Sequence, residues 1–352
     1  MSVIKSSAGA VPAMPASATK HKHAHSPIPG MPALAGHALL STLMAFLMLL
    51  LYLGGFHRPA PQDLNLAIVT DNPQIAAAYQ AGLQEALGEG AHIYPLASAE
   101  EARIQLQNRE LQGAYIPEEG RAIVLIASGA SGTTAEIVNK IFQSAAQKQG
   151  VALTVEDLVP LEEADPIGQN SFFYLVALSV GSYATSLAIA AVGMHSSLKE
   201  RLLMAFIAAL AIPTLFVLAS NWGFGVFEGH LGAAWGLSLV YSAAVLMIGI
   251  GLRPIVTHYS TLLMATLFVG MNFTSSGGVF SPEVQPAFFG FLHEFWIGAG
   301  FVETMRNLTY FPQLPNTHSL AVLFGWLLVG FICLIAGKAW ENRQRQKLHF
   351  AH

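Results

Sequence analysis

Four ionisable residues stand inside an otherwise apolar stretch near the C-terminus: His293, Glu294, Glu303 and Arg306. A charged side chain at the bilayer centre costs roughly 2.5–3.5 kcal/mol on insertion scales, so such groups pair with one another or line a wet cavity. Glu303 and Arg306 are three residues apart, a spacing that puts them on one helical face as an ion pair. Two readings follow. The pair pins its segment to the next apolar run, or His293 and Glu294 gate a path at the membrane face. A second charged group, Lys199-Glu200-Arg201, sits in a short turn between two apolar runs.

The remaining reactive residue types do not assemble into a centre. GASGTT (129–134) is glycine-rich and lies between an expected strand and helix. It has neither the lysine and spacing of a P-loop nor a GxGxxG pattern, so a turn followed by a helix cap is the expectation. His21, His23 and His25 alternate with Lys20 and Lys22, without a carboxylate or cysteine to complete a metal site, and read as a solvated basic tail. The single cysteine, Cys333, lies in an apolar run and is expected to pack there. No Ser/His/Asp grouping or metal-ligand spacing appears. The expectation is a chain that is not an enzyme and holds no cofactor.

The elements that carry these residues are set by composition. Of 352 residues, 53% are hydrophobic and only 11% charged, against roughly a quarter charged in an average soluble domain. Mean hydropathy is +0.49. A bilayer accepts apolar runs that water rejects, so membrane lipid is the expected surrounding. The formal net charge is −4 and no long basic block occurs, which argues against a nucleic-acid partner.

Residues 1–36, rich in Ala, Pro, Ser and His, are expected to form a disordered tail. Residues 37–56 follow as a retained signal-anchor helix, since LYLGGFHRP offers no small-x-small cleavage site. Residues 57–170 then change character. LNLAIVT, HIYPL, LQGAYIP and RAIVLIA read as strands, the last two joined by the turn EEG. Asn72-Pro73 opens a helix to about Leu87, AEEARIQLQN forms a second, and a Thr133-x-x-Glu136 capping box opens a third to about Gln147. Such alternation predicts one small α/β domain.

Five further spans are expected in residues 171–340: about Phe172–Met194, Leu202–Ser220, Leu231–Gly251, Ile255–Phe273 and Leu320–Lys338. Each approaches the ~20 residues a bilayer core requires. The stretch from about Val284 to Met305 carries three ionisable groups and reads as a re-entrant or interfacial helix pair broken at Gly298-Ala-Gly300. Charge distribution favours six spans over seven. Lys5, Lys20, Lys22, Lys199, Arg201, Arg253 and the tail 341–352 then share the cytoplasmic side, and NWGFGVFEGHLG, without Lys or Arg, faces outward. The fold class expected is thus an α-helical polytopic membrane protein of six transmembrane helices with an inserted extracytoplasmic α/β domain.

The segments NFTSSGGVFSPEVQPAFF and WIGAGFVETMRNLTYF, ending in Arg306-x-x-x-Tyr310-Phe311, together with GAYIPEE (113–119), resemble the pattern of ABC-2-type membrane proteins. The resemblance covers about residues 38–340 and is nearest the phage-infection-protein and nitrosoguanidine-resistance-like branch. It implies a permease-like export subunit in a bacterial inner membrane, a homodimer facing a partner across a central path, and an external helical insertion at 274–318. It also implies a separate ATPase subunit, docked on a cytoplasmic coupling segment that would here fall on Lys199, Glu200 and Arg201. That link, HSSLKER, is short. The alternative is a non-transporting component whose external domain binds a secretion or envelope partner. Gly181, Ser182, Ala184 and Ser186 offer small surfaces for close helix contact, either between copies or within one chain.

Overall fold

The structure, a computed structural model, describes residues 30–193 and 196–350. The histidine-rich stretch, most of the tail 1–36, His195 and the last two residues lie outside the described residues.

Helix α1 (Met31–Phe56) leads into a region of alternating strands and helices: β1 (Leu64–Val69), α2 (Pro73–Leu87), β2 (Ala91–Leu96), α3 (Ala99–Gln107), β3 (Gly113–Glu118), β4 (Arg121–Ile126), α4 (Gly132–Gln149) and β5 (Ala152–Asp157). The sheet order is β2-β1-β3-β4-β5, with β3 and β4 antiparallel and every other pairing parallel. The single antiparallel step follows from the two-residue turn at Glu119-Gly120, where Gly120 takes φ 77°.

Alternation along the strands splits the core into two layers. Leu64, Leu66 and Ile68 face α2 and α4, joined by Tyr115, Val138 and Phe142. Ala67, Val69, Ala114 and Leu125 face the other way, toward Leu106 of α3. Phe311, from far along the chain, completes that second layer.

Asn72 caps α2 as its sequence predicts, accepting from the Gln74 amide at 2.9 Å with Pro73 at the first helical position. The cap of α4 differs from the expected one. Ser131, not Thr133, accepts from the Thr134 amide at 3.3 Å, and α4 starts at Gly132. Thr133 instead donates to the Val279 carbonyl at 2.8 Å, and Glu136 pairs with Lys140 at 2.6 Å. With both side chains engaged elsewhere, a capping box cannot close. Strand β5 is an addition to the expected set. Its ALTVED sequence is polar because it forms a sheet edge.

Among the described residues, five helical stretches are long and apolar enough to cross a membrane: Leu34–Phe56, Asn170–Val192, Leu198–Phe224, Leu231–Ser275 and Thr317–Lys347. Two are α5 (Asn170–Val192) and α6 (Leu198–Phe224), and α12 (Thr317–Phe350) contains the last. Large apolar side chains on their outer faces stay exposed, as Phe206 (63%), Leu215 (65%) and Ile335 (70%) do. Water would penalise that surface and hydrocarbon would not.

The fourth stretch is 45 residues long, about 68 Å if straight, against a hydrocarbon core of about 30 Å. It is folded back on itself. Helix α7 (Leu231–Val256) ends at Thr257, which takes φ 49°. The chain returns through α8 (Ser260–Ala265), a π-helical turn (Thr266–Met271) and α9 (Asn272–Ser275). Tyr241 meets Asn272 and Gly249 meets Met264, pairs equidistant from the Val256–Thr257 bend. The two arms are antiparallel.

Packing among these helices uses small residues. Ser182 of α5 donates to Ser242 of α7 at 2.9 Å, Ser186 lies against Gly249, and Gly181 against Phe216. These three residues are therefore occupied inside one chain. A Cβ on Gly251 would stand 2.4 Å from the Cys333 carbonyl carbon, and one on Gly337 would stand 2.1 Å from the Gly251 oxygen. Glycine at both is what lets α7 and α12 cross backbone to backbone.

Two shorter helices, α10 (Ala287–His293) and α11 (Ile297–Tyr310), precede α12. The break between them falls at Glu294–Trp296, not at the expected Gly298-Ala-Gly300, which lies buried inside α11. Those glycines serve close approach instead. A Cβ on Gly298 would meet the Asn272 side chain at 2.4 Å, and one on Gly300 the Ser319 carbonyl at 2.8 Å.

Candidate functional site

Where the sheet meets the α10–α11 pair, three charged or titratable side chains converge on one carboxylate. Glu303 projects from the middle of α11 with 15% of its side chain exposed. Arg306, one turn later, pairs with it as the spacing predicts. Arg306 Nη2 also donates to the Gly277 carbonyl at 2.7 Å. Arg109, from the turn after α3, reaches the same carboxylate at 2.8 Å and donates through Nη1 to Asn307 Oδ1 at 2.7 Å. Its guanidinium lies over the Phe311 ring, 5.5 Å from the centroid, within cation–π range.

His293 closes the cluster from α10. Its Nδ1 lies 2.9 Å from the Ser275 carbonyl. A carbonyl only accepts, so Nδ1 carries the hydrogen. The Nε2 edge then faces Glu303 at 3.7 Å and becomes an ion-pair partner only when the ring is protonated. Gly277 makes the convergence possible. It takes φ 72°, and a Cβ there would lie 2.6 Å from His293 Cε1.

Burial alone would raise the Glu303 pKa, but the charges of Arg109, Arg306 and His293 outweigh it and hold the carboxyl down at about 2. Two guanidinium groups thus share one ionised carboxylate in a half-dry site. Removing either sign leaves the other uncompensated.

The four insertion residues singled out by sequence separate into three and one. His293, Glu303 and Arg306 meet. Glu294 does not: its side chain is exposed, and its backbone carbonyl accepts from His318 Nε2 at 2.8 Å. Consecutive helical residues do not share a face, and the end of α10 turns the two apart. Arg109 and Asn307 were not legible as members. Arg109 is held in place by φ 62°, a conformation that favours glycine or asparagine, and nothing in LQNREL announces it.

At the other end of the helices the Lys199-Glu200-Arg201 turn also divides. Glu200 closes a capping box on α6, accepting from the Ser197 amide at 2.7 Å while its own amide donates to Ser197 Oγ at 3.3 Å. Arg201 is buried against Gly193 and pairs with Glu341 of α12 at 2.8 Å. Lys199 alone is an exposed cation.

A third polar cluster lies inside the helices. Asn272 Nδ2 donates to Ser179 Oγ at 3.1 Å and to Tyr241 OH at 3.0 Å, and Ser179 and Tyr241 are 2.5 Å apart. These bonds tie α9 to α5 and α7.

The glycine-rich loop 129–134 is a packing element. Gly129 lies under the Tyr310 ring, and Gly132 against the Ile167 carbonyl. Among the described residues, no group of three or more His, Cys, Asp or Glu is placed to hold a metal ion. No protein-family model matches this chain, and no curated protein matches it.

Proposed function

We propose that this chain is the permease-like subunit of a membrane export system of the ABC-2 type, with any ATP hydrolysis carried out by a separate subunit. The reading counts six crossings: α1, α5, α6, α7, the returning arm Ser260–Ser275, and α12. The sheet and the α10–α11 insertion then share the outer face, and the termini and the Lys199 turn share the inner face. The absence of Lys and Arg from the α6–α7 link supports that orientation, as does their recurrence at Lys199, Arg201, Arg253 and the C-terminal end of α12. The membrane in question is a bacterial inner membrane.

The observation that carries the proposal is the Arg109–Glu303–Arg306 junction. It joins an external α/β domain to a helix pair wedged between the hairpin arm and the last long helix. In this reading, movement of the insertion passes to the external domain through that ion pair. Glu303 and Arg306 therefore act in positioning, and His293 Nε2 stands 3.7 Å from the shared carboxylate. Glu294, exposed beside the membrane face, is not part of it.

In this reading the chain has no catalytic centre or cofactor of its own and works as a homodimer. Because Gly181, Ser182 and Ser186 pack internally, the dimer surface falls on other apolar faces. Lys199 is the coupling residue open to an ATPase; Glu200 and Arg201 shape the turn that presents it. Solubilisation from native membranes in mild detergent tests the proposal. A P-loop ATPase should co-purify with the wild type and be lost from Lys199→Glu at unchanged abundance. Recovery of the chain without an ATPase under cross-linking conditions contradicts it.

A further inference from the structure

Two cavities meet at the outer ends of α5 and α6, and their walls share Ala164, Asn170 and Val226. One is an apolar cleft of about 530 Å³ between the two helices, lined by Phe173, Ala177, Phe216, Ala219 and Phe224. Its volume falls in the roughly 300–1,000 Å³ range of ligand sites. Phe173 and Phe224 stay exposed at its mouth, at 61% and 78%. The other is a small polar pocket of about 40 Å³ beside the loop between β5 and α5.

The polar pocket is lined by the carboxylates Glu162, Asp165 and Glu228 and by the aromatic rings of Phe172, Phe227 and Tyr310. Carboxylates together with ring faces are the chemistry that recognises an alkylammonium. Arg306 is also in the wall, but Glu303 and the Gly277 carbonyl engage it. A primary ammonium donates hydrogen bonds to such carboxylates; a trimethylammonium has no N–H to donate.

We propose that these joined cavities bind one phospholipid with a primary-amine headgroup, its acyl chain in the α5–α6 cleft and its ammonium in the Glu162–Asp165–Glu228 pocket. The site rests on the reading that α5 and α6 cross a bilayer with Asn170 at the outer surface. Asp165 is fixed by the Gln169 and Asn170 amides, which donate to it at 2.9 and 3.0 Å, so Glu162 and Glu228 are the carboxylates free to follow the headgroup.

The test is native mass spectrometry of the full chain from nanodiscs containing equal parts phosphatidylethanolamine, phosphatidylcholine and phosphatidylglycerol. Retained ethanolamine lipid should exceed each of the others by about tenfold. Glu162→Gln with Glu228→Gln should erase that preference, and Ala177→Phe should cut retention of all three. Photolabelling with an ethanolamine lipid carrying a diazirine on its chain should mark peptides containing Phe173 or Phe224 in the wild type, whatever the variants' stability. Equal retention of the three lipids, or label confined to other helices, overturns the site. A chain that does not enter nanodiscs overturns the membrane reading with it.

Discussion

Arg109, in the turn after α3, and Glu303, in the middle of α11, form an ion pair of 2.8 Å between the strand-and-helix region and α11. Glu303 answers two guanidinium groups, Arg109 and Arg306, and is mostly buried. Breaking a buried pair by removing one partner costs about 3–5 kcal/mol, because the survivor is left uncompensated. Arg109→Ala leaves Arg306 in place and should fall at the low end, about 3 kcal/mol. Glu303→Gln leaves two cations facing each other and should cost more. Thermal unfolding in detergent should rank wild type above Arg109→Ala above Glu303→Gln; equal midpoints would show that the junction holds nothing together.

The same carboxylate sets a pH dependence. Its folded pKa is depressed to about 2, against about 4.3 for an unperturbed glutamate. A depressed pKa contributes stability that is present above the unfolded value and lost as pH falls through the folded one. The wild-type melting temperature should therefore fall between about pH 4.3 and 2 more steeply than that of Glu303→Gln. Parallel pH curves for the two proteins would show that Glu303 does not titrate in this window.

The helix crossing at Gly251 and Gly337 makes a third prediction. Both backbones approach closely enough that any Cβ collides with main-chain atoms. Overpacking costs about 1–3 kcal/mol where side chains can shift, and here only backbone is available to move. Gly251→Val and Gly337→Val should lower membrane abundance sharply. Gly325→Val, with nothing within 4 Å of its Cβ, should not. Comparable abundance of all three variants would remove the close crossing.

In the α5–α6 turn, Arg201 and Lys199 should behave differently despite their proximity. Arg201→Ala strips the partner from Glu341 and should destabilise the chain. Lys199→Ala, exposed, should leave the unfolding free energy within about 0.5 kcal/mol of wild type. If Lys199→Ala unfolds as readily as Arg201→Ala, the assignment of one to coupling and the other to packing is wrong.

What could be read ahead of the structure follows from how local each signal is. The Asn72-Pro73 cap and the apolar runs depend on residues a few positions apart, and both appear. The Ser131 cap was missed because Thr133 and Glu136 fit a capping box equally well by spacing, and only the contacts with Val279 and Lys140 decide between them. Strand β5 was missed because an edge strand has no buried face to impose alternation. Gly298-Ala-Gly300 resembled a breaker for a similar reason: glycine weakens an isolated helix, yet here it admits Asn272 and Ser319. The Glu303–Arg306 pair is local and legible. Arg109 enters through a left-handed turn far earlier in the chain, and no short window of sequence contains that information.

The proposed export subunit requires the sheet and the C-terminus to lie on opposite sides of a membrane. Sidedness reporters fused at Gln112, in the turn between α3 and β3, and at His352 test this directly. The outer reporter should be active at Gln112 and silent at His352, and the cytoplasmic reporter should show the reverse. The same sidedness at both positions would contradict the six-span arrangement, and with it the export subunit proposed from it.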